Sequence, residues 1–222
     1  PTATPLNNLQ PQAQRKIIMI TKLMLAAALS LTGAALASAQ DADTSFFITS
    51  ENPGNGADLG GLDGADAYCT TLAEAAGVTG KTWAAYLSSA EQNARDRIGT
   101  GPWMNAAGVV VAQSVDDLHS DSNNLTKETA ISETGAVING RGDTPNRHDI
   151  LTGSDLDGNL VGDACEGWTT SGEGSAMVGH HDRTGGGDHP TAWNSAHPSR
   201  GCGMEALQGT GGDGLFYCFA TN

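Results

Sequence analysis

Four cysteines constrain this chain more than any other feature. Cys69, Cys165, Cys202 and Cys218 are widely spread, and no two of them lie closer than sixteen positions. Zinc ribbons and fingers use cysteine pairs separated by two to four residues, so the spacing argues against a site of that kind. In an exported chain an even count reads as two disulfides instead. Counting alone leaves three connectivities open.

The amino-terminal region supports export. Met19 opens a stretch with Lys22 in a short basic region and an apolar run from Leu23 to Leu36, followed by Ala37-Ser38-Ala39. The run is short for a membrane span, and the small residues suit signal peptidase. Residues 19–39 therefore read as a signal peptide cleaved after Ala39, with residues 1–18 as leader sequence or a mis-set start. Residues 40–222 are expected to form one domain, secreted or periplasmic. No Asp or Glu occurs before Asp41, so without Arg15, Lys16 and Lys22 the domain keeps 25 acids against eight bases. Such a charge repels nucleic acid and anionic membranes. No second apolar run remains to insert into a bilayer.

Patterning within the domain predicts a small sheet dressed with long loops. Ser45–Thr49 has the β-branched and aromatic character of a strand, and the Asn-Pro-Gly-Asn-Gly run from Asn52 reads as a loop. A helix follows, with Asp63 as its cap and Ala65, Cys69, Leu72 and Ala76 as one apolar stripe, ending at Gly77. Thr82–Ser88 reads as a strand covered on both faces, Ala90–Arg97 as a second short helix and Gly108–Gln113 as a central strand. Beyond Ser114 the chain is crowded with Gly, Asn, Asp and Pro, and only Asp149–Leu151, Trp168–Thr170 and Leu215–Ala220 read as strands.

Several of these segments resemble the endostatin domain of basement-membrane collagens. Gly64-Ala65-Asp66-Ala67-Tyr68-Cys69 opens the helix, and Ala84-Ala85-Tyr86-Leu87-Ser88-Ser89 follows as a strand. Leu151-Thr152-Gly153-Ser154-Asp155, Asp157-Gly158, Cys165-Glu166-Gly167-Trp168 and Phe216-Tyr217-Cys218 then come in the family's order. The resemblance spans most of residues 45–220. It implies an α+β, C-type lectin-like fold: a mixed sheet, two short helices, long Gly/Asp-rich loops and two nested disulfides, Cys69–Cys218 and Cys165–Cys202. The family's heparin binding rests on clustered arginines, which an acidic domain with scattered bases lacks. Its zinc site uses histidines near the amino terminus, and Gln40-Asp41-Ala42-Asp43-Thr44 holds none. Related calcium-dependent lectins use a Trp-Asn-Asp triplet, which Trp193-Asn194 matches until Ser195.

Four groups of residues carry candidate chemistry. His180, His181, Asp182, Asp188, His189 and His197 fall within eighteen residues and suit zinc or another divalent transition metal, or else cap turns of a polar loop. Asp155, Asp157, Asn159 and Asp163 place four oxygen side chains within nine residues, as a calcium loop does, or form a plain Asp-Gly turn between strands. Trp193, Asn194, His197 and Asp188 would hold a sugar, with the indole stacked on a pyranose face. Arg141-Gly142-Asp143 is the tripeptide that integrins read, or a tight surface turn.

No nucleophile elbow, metalloprotease helix or phosphate loop is present in the sequence. The function expected is therefore non-enzymatic recognition of a carbohydrate. An adhesion domain that binds an extracellular protein surface is the second reading, and a metal-dependent hydrolase built on the His180–His197 cluster is the third. No cofactor is required by the first reading, and calcium or zinc are the candidates if one is bound.

Overall fold

The computed structural model describes Pro1 and residues 43–222, and the latter belong to a unit spanning Ala39–Asn222. The signal peptide expected at 19–39 lies outside the described residues. In chain order the strands are β1 (Phe46–Ile48), β2 (Trp83–Ala85), β3 (Trp103–Met104), β4 (Val110–Ala112), β5 (Asp149–Leu151), β6 (Met177–His180), β7 (His197–Pro198) and β8 (Gly212–Ala220). Helices are α1 (Gly61–Ala75), α2 (Ala94–Arg97), α3 (Val115–Leu118) and α4 (Met204–Gln208). The architecture is mixed α+β.

Strand β8 organises the sheet. Its sequence Leu-Phe-Tyr-Cys-Phe-Ala is a continuous apolar run, which suits a strand covered on both faces, and all six residues are buried. It pairs antiparallel with β1 and β2 and parallel with β5, and the sheet continues outward through β6 to β7. Phe216 and Cys218 point into one core with Phe47, Trp83, Leu151 and Val178. Leu215, Tyr217 and Phe219 point into the other, with Phe46, Ile150 and Trp193.

The stripe expected on α1 is the face it buries, through Ala65, Cys69, Leu72 and Ala73. Its start differs from the expectation. Gly60, in the left-handed conformation at φ 76°, forms the cap, and Asp63 lies in the first turn. Asp66 on the same helix accepts hydrogen bonds from Ala85 N–H and from Arg97 on α2, tying both helices to β2.

Two further expectations are corrected. Gly108–Gln113 contributes only β4, and its partner is β3 in a separate two-stranded sheet. A valine run has strand propensity but carries no information about its neighbour. Trp168–Thr170 is not a strand. Residues Ala164–Trp168 form a left-handed turn, with φ between 47° and 71° throughout. Trp168 is fully buried there, and its indole N–H donates to Ser88 O at 2.9 Å.

Both bridges take the nested pairing that the endostatin resemblance implies. Cys69–Cys218 joins α1 to β8, and Cys165–Cys202 joins the left-handed turn to the segment that enters α4. The bridges separate residues 149 and 37 positions apart. Loop-closure entropy then assigns them about 5 and about 4 kcal/mol through the unfolded state. Denaturant titration of C69A/C218A and C165A/C202A is expected to show losses of that order, and peptide mapping without reductant to recover these two pairs. Losses below about 1 kcal/mol in both variants would show that the unfolded chain gains little from the bridges.

Candidate metal centre

Asp149 begins β5, and its register partner on β6 is His180. Directly opposed residues of an antiparallel pair share a face. On the far side of β6, Val178 pairs with His197 of β7, and residues two apart on one strand also share a face, so His197 joins the same side. His148, immediately before β5, completes the group. The Nε2 atoms of His148, His180 and His197 lie 3.1, 3.3 and 3.6 Å from a single atom, Asp149 Oδ1.

What the other ring nitrogens do decides the chemistry. His148 Nδ1 lies 3.1 Å from Thr184 O, His180 Nδ1 2.8 Å from Pro190 O, and His197 Nδ1 3.0 Å from Pro198 O. A carbonyl only accepts, so each Nδ1 carries a proton, and each ring turns its Nε2 inward, as an N–H donor when the ring is charged and as a lone pair when it is neutral. Three Nε2 atoms thus converge on one carboxylate oxygen. Asp149 is 2% exposed, and among the described residues neither of its oxygens nor His180 Nε2 has a hydrogen-bond partner. Unsatisfied polar atoms at this depth are costly.

Burial pushes the Asp149 carboxyl up, but its contacts with His180 and His197 and the charge of His148 outweigh that and hold it at about 2. The same carboxylate draws the His197 imidazole upward. Charged imidazoles would compensate the carboxylate through their Nε2–H groups, and a divalent cation would do so with neutral ones. The ligand atoms of His148, Asp149 and His180 lie within 4.8 Å of one another, close enough to share one cation. Bonds of about 2.0–2.2 Å in tetrahedral geometry separate ligand atoms by roughly 3.3–3.6 Å, close to the Nε2–Oδ1 distances here.

The surrounding chain is built to hold this geometry. Gly185 packs against the His180 ring so closely that a Cβ there would lie 2.2 Å from its Cε1 atom. Gly179, within β6, leaves room for the Trp193 carbonyl, which a Cβ would approach to 1.8 Å. Behind His148 stands Asp182, 3.4 Å from Nδ1, which also accepts the backbone N–H groups of Arg141 and Thr184. Burial raises the Asp182 carboxyl, and these donors more than offset it, keeping the group ionised. Carboxylates behind ligating histidines orient the ring and raise its basicity. In front of the centre is a cleft of about 530 Å³ lined by Arg141, Asn146, Arg200 and Thr210 beside the three imidazoles.

Of the residues singled out in the sequence, His180 and His197 are brought together and Asp182 supports them from behind. His181 is buried and directs Nε2 to Asn139 O, while His189 and Asp188 are exposed. Asp155 Oδ1 accepts from the backbone of Asp157 and Asn159 inside its own turn, and Asp163 accepts from Cys165 N–H, so these oxygens serve local structure. Among the described residues the one compact group of metal-ligating side chains is His148, Asp149 and His180. His148 and Asp149 were missed because strand pairing, not sequence proximity, brings them to His180. An ionisable residue at the start of a strand covered on both faces was the available signal.

The sugar-holding set is arranged differently from the expectation. Trp193 is 3% exposed, packs against Tyr86, His119 and Tyr217, and donates its indole N–H to Leu118 O. Its ring faces belong to the core. Asn194 is also buried, with its amide spent on Tyr86 Oη and the carbonyls of Asp155 and Leu156. Asp143 of the Arg-Gly-Asp turn is held by Lys127 and by Gly140 N–H.

His119 shows what a structural histidine looks like in this protein. Its Nδ1 meets Val115 O and its Nε2 meets Tyr86 Oη, both at 2.7 Å, so both nitrogens are spent. His180 is buried more deeply than His119 and has one nitrogen unspent. No family model matches the chain, and no curated protein matches it.

Truncating a buried indole creates a cavity, so Trp193→Ala is expected to cost about 3–5 kcal/mol of stability. Chemical denaturation measures this directly. A change below about 0.5 kcal/mol, the surface value, would return Trp193 to the candidates for ligand stacking.

Proposed function

We propose that this protein is an exported recognition module that grips its ligand through a divalent transition metal held by His148, Asp149, His180 and His197. One observation carries the reading: the Nε2 atoms of three imidazoles converge on Asp149 Oδ1, and neither oxygen of that buried carboxylate, nor His180 Nε2, has a hydrogen-bond partner among the described residues. Three imidazoles and one carboxylate suit zinc and its neighbours, whereas calcium takes oxygen ligands. The cleft in front of the centre gives a ligand access to the metal.

Export is supported by the two disulfides, since such bridges persist outside the reducing cytoplasm. Among the described residues no helix is long and apolar enough to cross a membrane. The mixed sheet and the nested bridges support an endostatin-like, C-type lectin-like domain. Within that kinship the centre is a separate device, because its ligands come from β5, β6 and β7. A hydrolase reading shares the centre: a divalent metal held there would supply a Lewis acid, and Asp149 Oδ2, which has no hydrogen-bond partner among the described residues, is the carboxylate oxygen nearest to it that could act as a base.

Zinc and cobalt(II) titrations of the chelator-treated protein test the reading. One equivalent is expected to bind and to raise the melting temperature, as any ligand of the folded state does. His148→Ala and His180→Ala are expected to weaken binding at least about 100-fold, Asp182→Asn about 10–100-fold, and His189→Ala not at all. Absence of stoichiometric binding by the wild-type protein, or wild-type affinity in His180→Ala, would remove the proposal. For the hydrolase reading, zinc-dependent turnover of ester or phosphoester probes that Asp149→Asn abolishes is the expected result.

A further inference from the structure

We infer that the ligand of this metal centre presents an oxyanion, a carboxylate or a phosphate group, clamped between the metal and the guanidinium groups of Arg141 and Arg200. This inference rests on the metal reading of the centre.

Charge distribution is the first support. The chain has 25 acids against 11 bases, and its described arginines are otherwise committed. Arg95 and Arg97 pair with Asp116 and Asp66, Arg147 pairs with Asp213, and Arg183 donates to the carbonyls of Leu125 and Thr191. Among the described residues, Arg141 and Arg200 are the two arginines whose side chains make no ion pair or hydrogen bond, and both line the cleft. Not one Asp or Glu lines it with them. Both arginines are exposed at the cleft, so their guanidinium groups are free to meet an anion that enters it.

Anchoring is the second support. The Arg141 N–H donates at 2.6 Å to Asp182, the carboxylate that stands behind His148. One side chain thus positions both a metal ligand and the arginine across the cleft. In the same turn, Lys127 and Gly140 N–H hold the Asp143 carboxylate, so it is committed elsewhere. Arg200 lies between β7, which supplies His197, and Cys202, whose disulfide fixes that segment. Both arginines are therefore attached to the framework that holds the metal.

Ligand chemistry follows from these partners. Guanidinium forks match carboxylate and phosphate oxygens in pairs, and a divalent metal takes one oxygen of the same group. A neutral sugar hydroxyl would leave both guanidinium charges uncompensated. Asn146 and Thr210 add a side-chain amide and a hydroxyl to the lining, both able to hydrogen-bond the remaining oxygens.

The cobalt(II) form reports on the metal shell through its visible absorption bands. Inorganic phosphate and acetate are titrated separately into the wild-type protein and R141A/R200A, with chloride matched for ionic strength. At least one anion is expected to shift the bands saturably in the wild type, and the arginine variant is expected to bind it at least about tenfold more weakly while still taking one cobalt. Phosphate or acetate as the tighter ligand identifies the oxyanion. Equal anion affinity in the two proteins, or no spectral response to either anion, would overturn this inference and leave the metal reading standing. Failure of the wild-type protein to bind cobalt would sink both.

Discussion

A carboxylate removed from water must be compensated where it lies, and in this protein that demand falls on Asp149. Burial opposes its charge, yet its surroundings keep it ionised. The compensating groups are three imidazoles whose Nδ1 protons are given to backbone carbonyls on their outer sides. Charged imidazoles compensate the carboxylate from Nε2, and neutral ones leave room for a cation between them and it. The carbonyls are fixed by the backbone path of the loops, so the orientation of the imidazoles is built into the loops and not only into the side chains.

That arrangement depends on structure far from it in the chain. The sheet must bring β5, β6 and β7 into one register, and β8 anchors the stack because both of its faces are buried. The short outer strands would fray on their own. Cys165–Cys202 restrains the chain on either side of β6 and β7, and Cys69–Cys218 secures the strand on which β5 rests. Loops rich in glycine lose much entropy on ordering, and covalent closure lowers that cost by confining the unfolded chain. The disulfides thus restrain the segment that carries the histidine cluster.

How much of this was legible in the sequence followed from how local each signal is. The α1 stripe and the apolar run of β8 show in a few consecutive residues and were readable. Strands β6 and β7 were not, because Met177–His180 and His197–Pro198 are short and mix Gly, His and Pro. They are strands because their neighbours pair with them. The left-handed turn at Ala164–Trp168 defies propensity outright, and a disulfide and a buried indole hold it in place. At the site, His180 and His197 stood out as part of a cluster, and Asp182 with them. His148 and Asp149 lie more than thirty residues upstream, and only the Asp149–His180 register brings them in. The nested pairing of the cysteines came from family resemblance, since counting left three choices.

The same contrast between local and distant signals bears on Trp193-Asn194. As a sequence string it looks like a sugar-binding pair, but the fold spends it on the second core and on the Asp155 turn. Polar and aromatic residues that carry chemistry in one domain can carry packing in another, because burial decides which of their atoms a ligand reaches. Here the ligand-facing surface is assigned by what is left unspent. Two arginines without partners and a set of unpaired acceptors border one cleft, in a protein whose other described arginines are committed. Residual bonding capacity, concentrated in one place by strand register, is the physical content of the site.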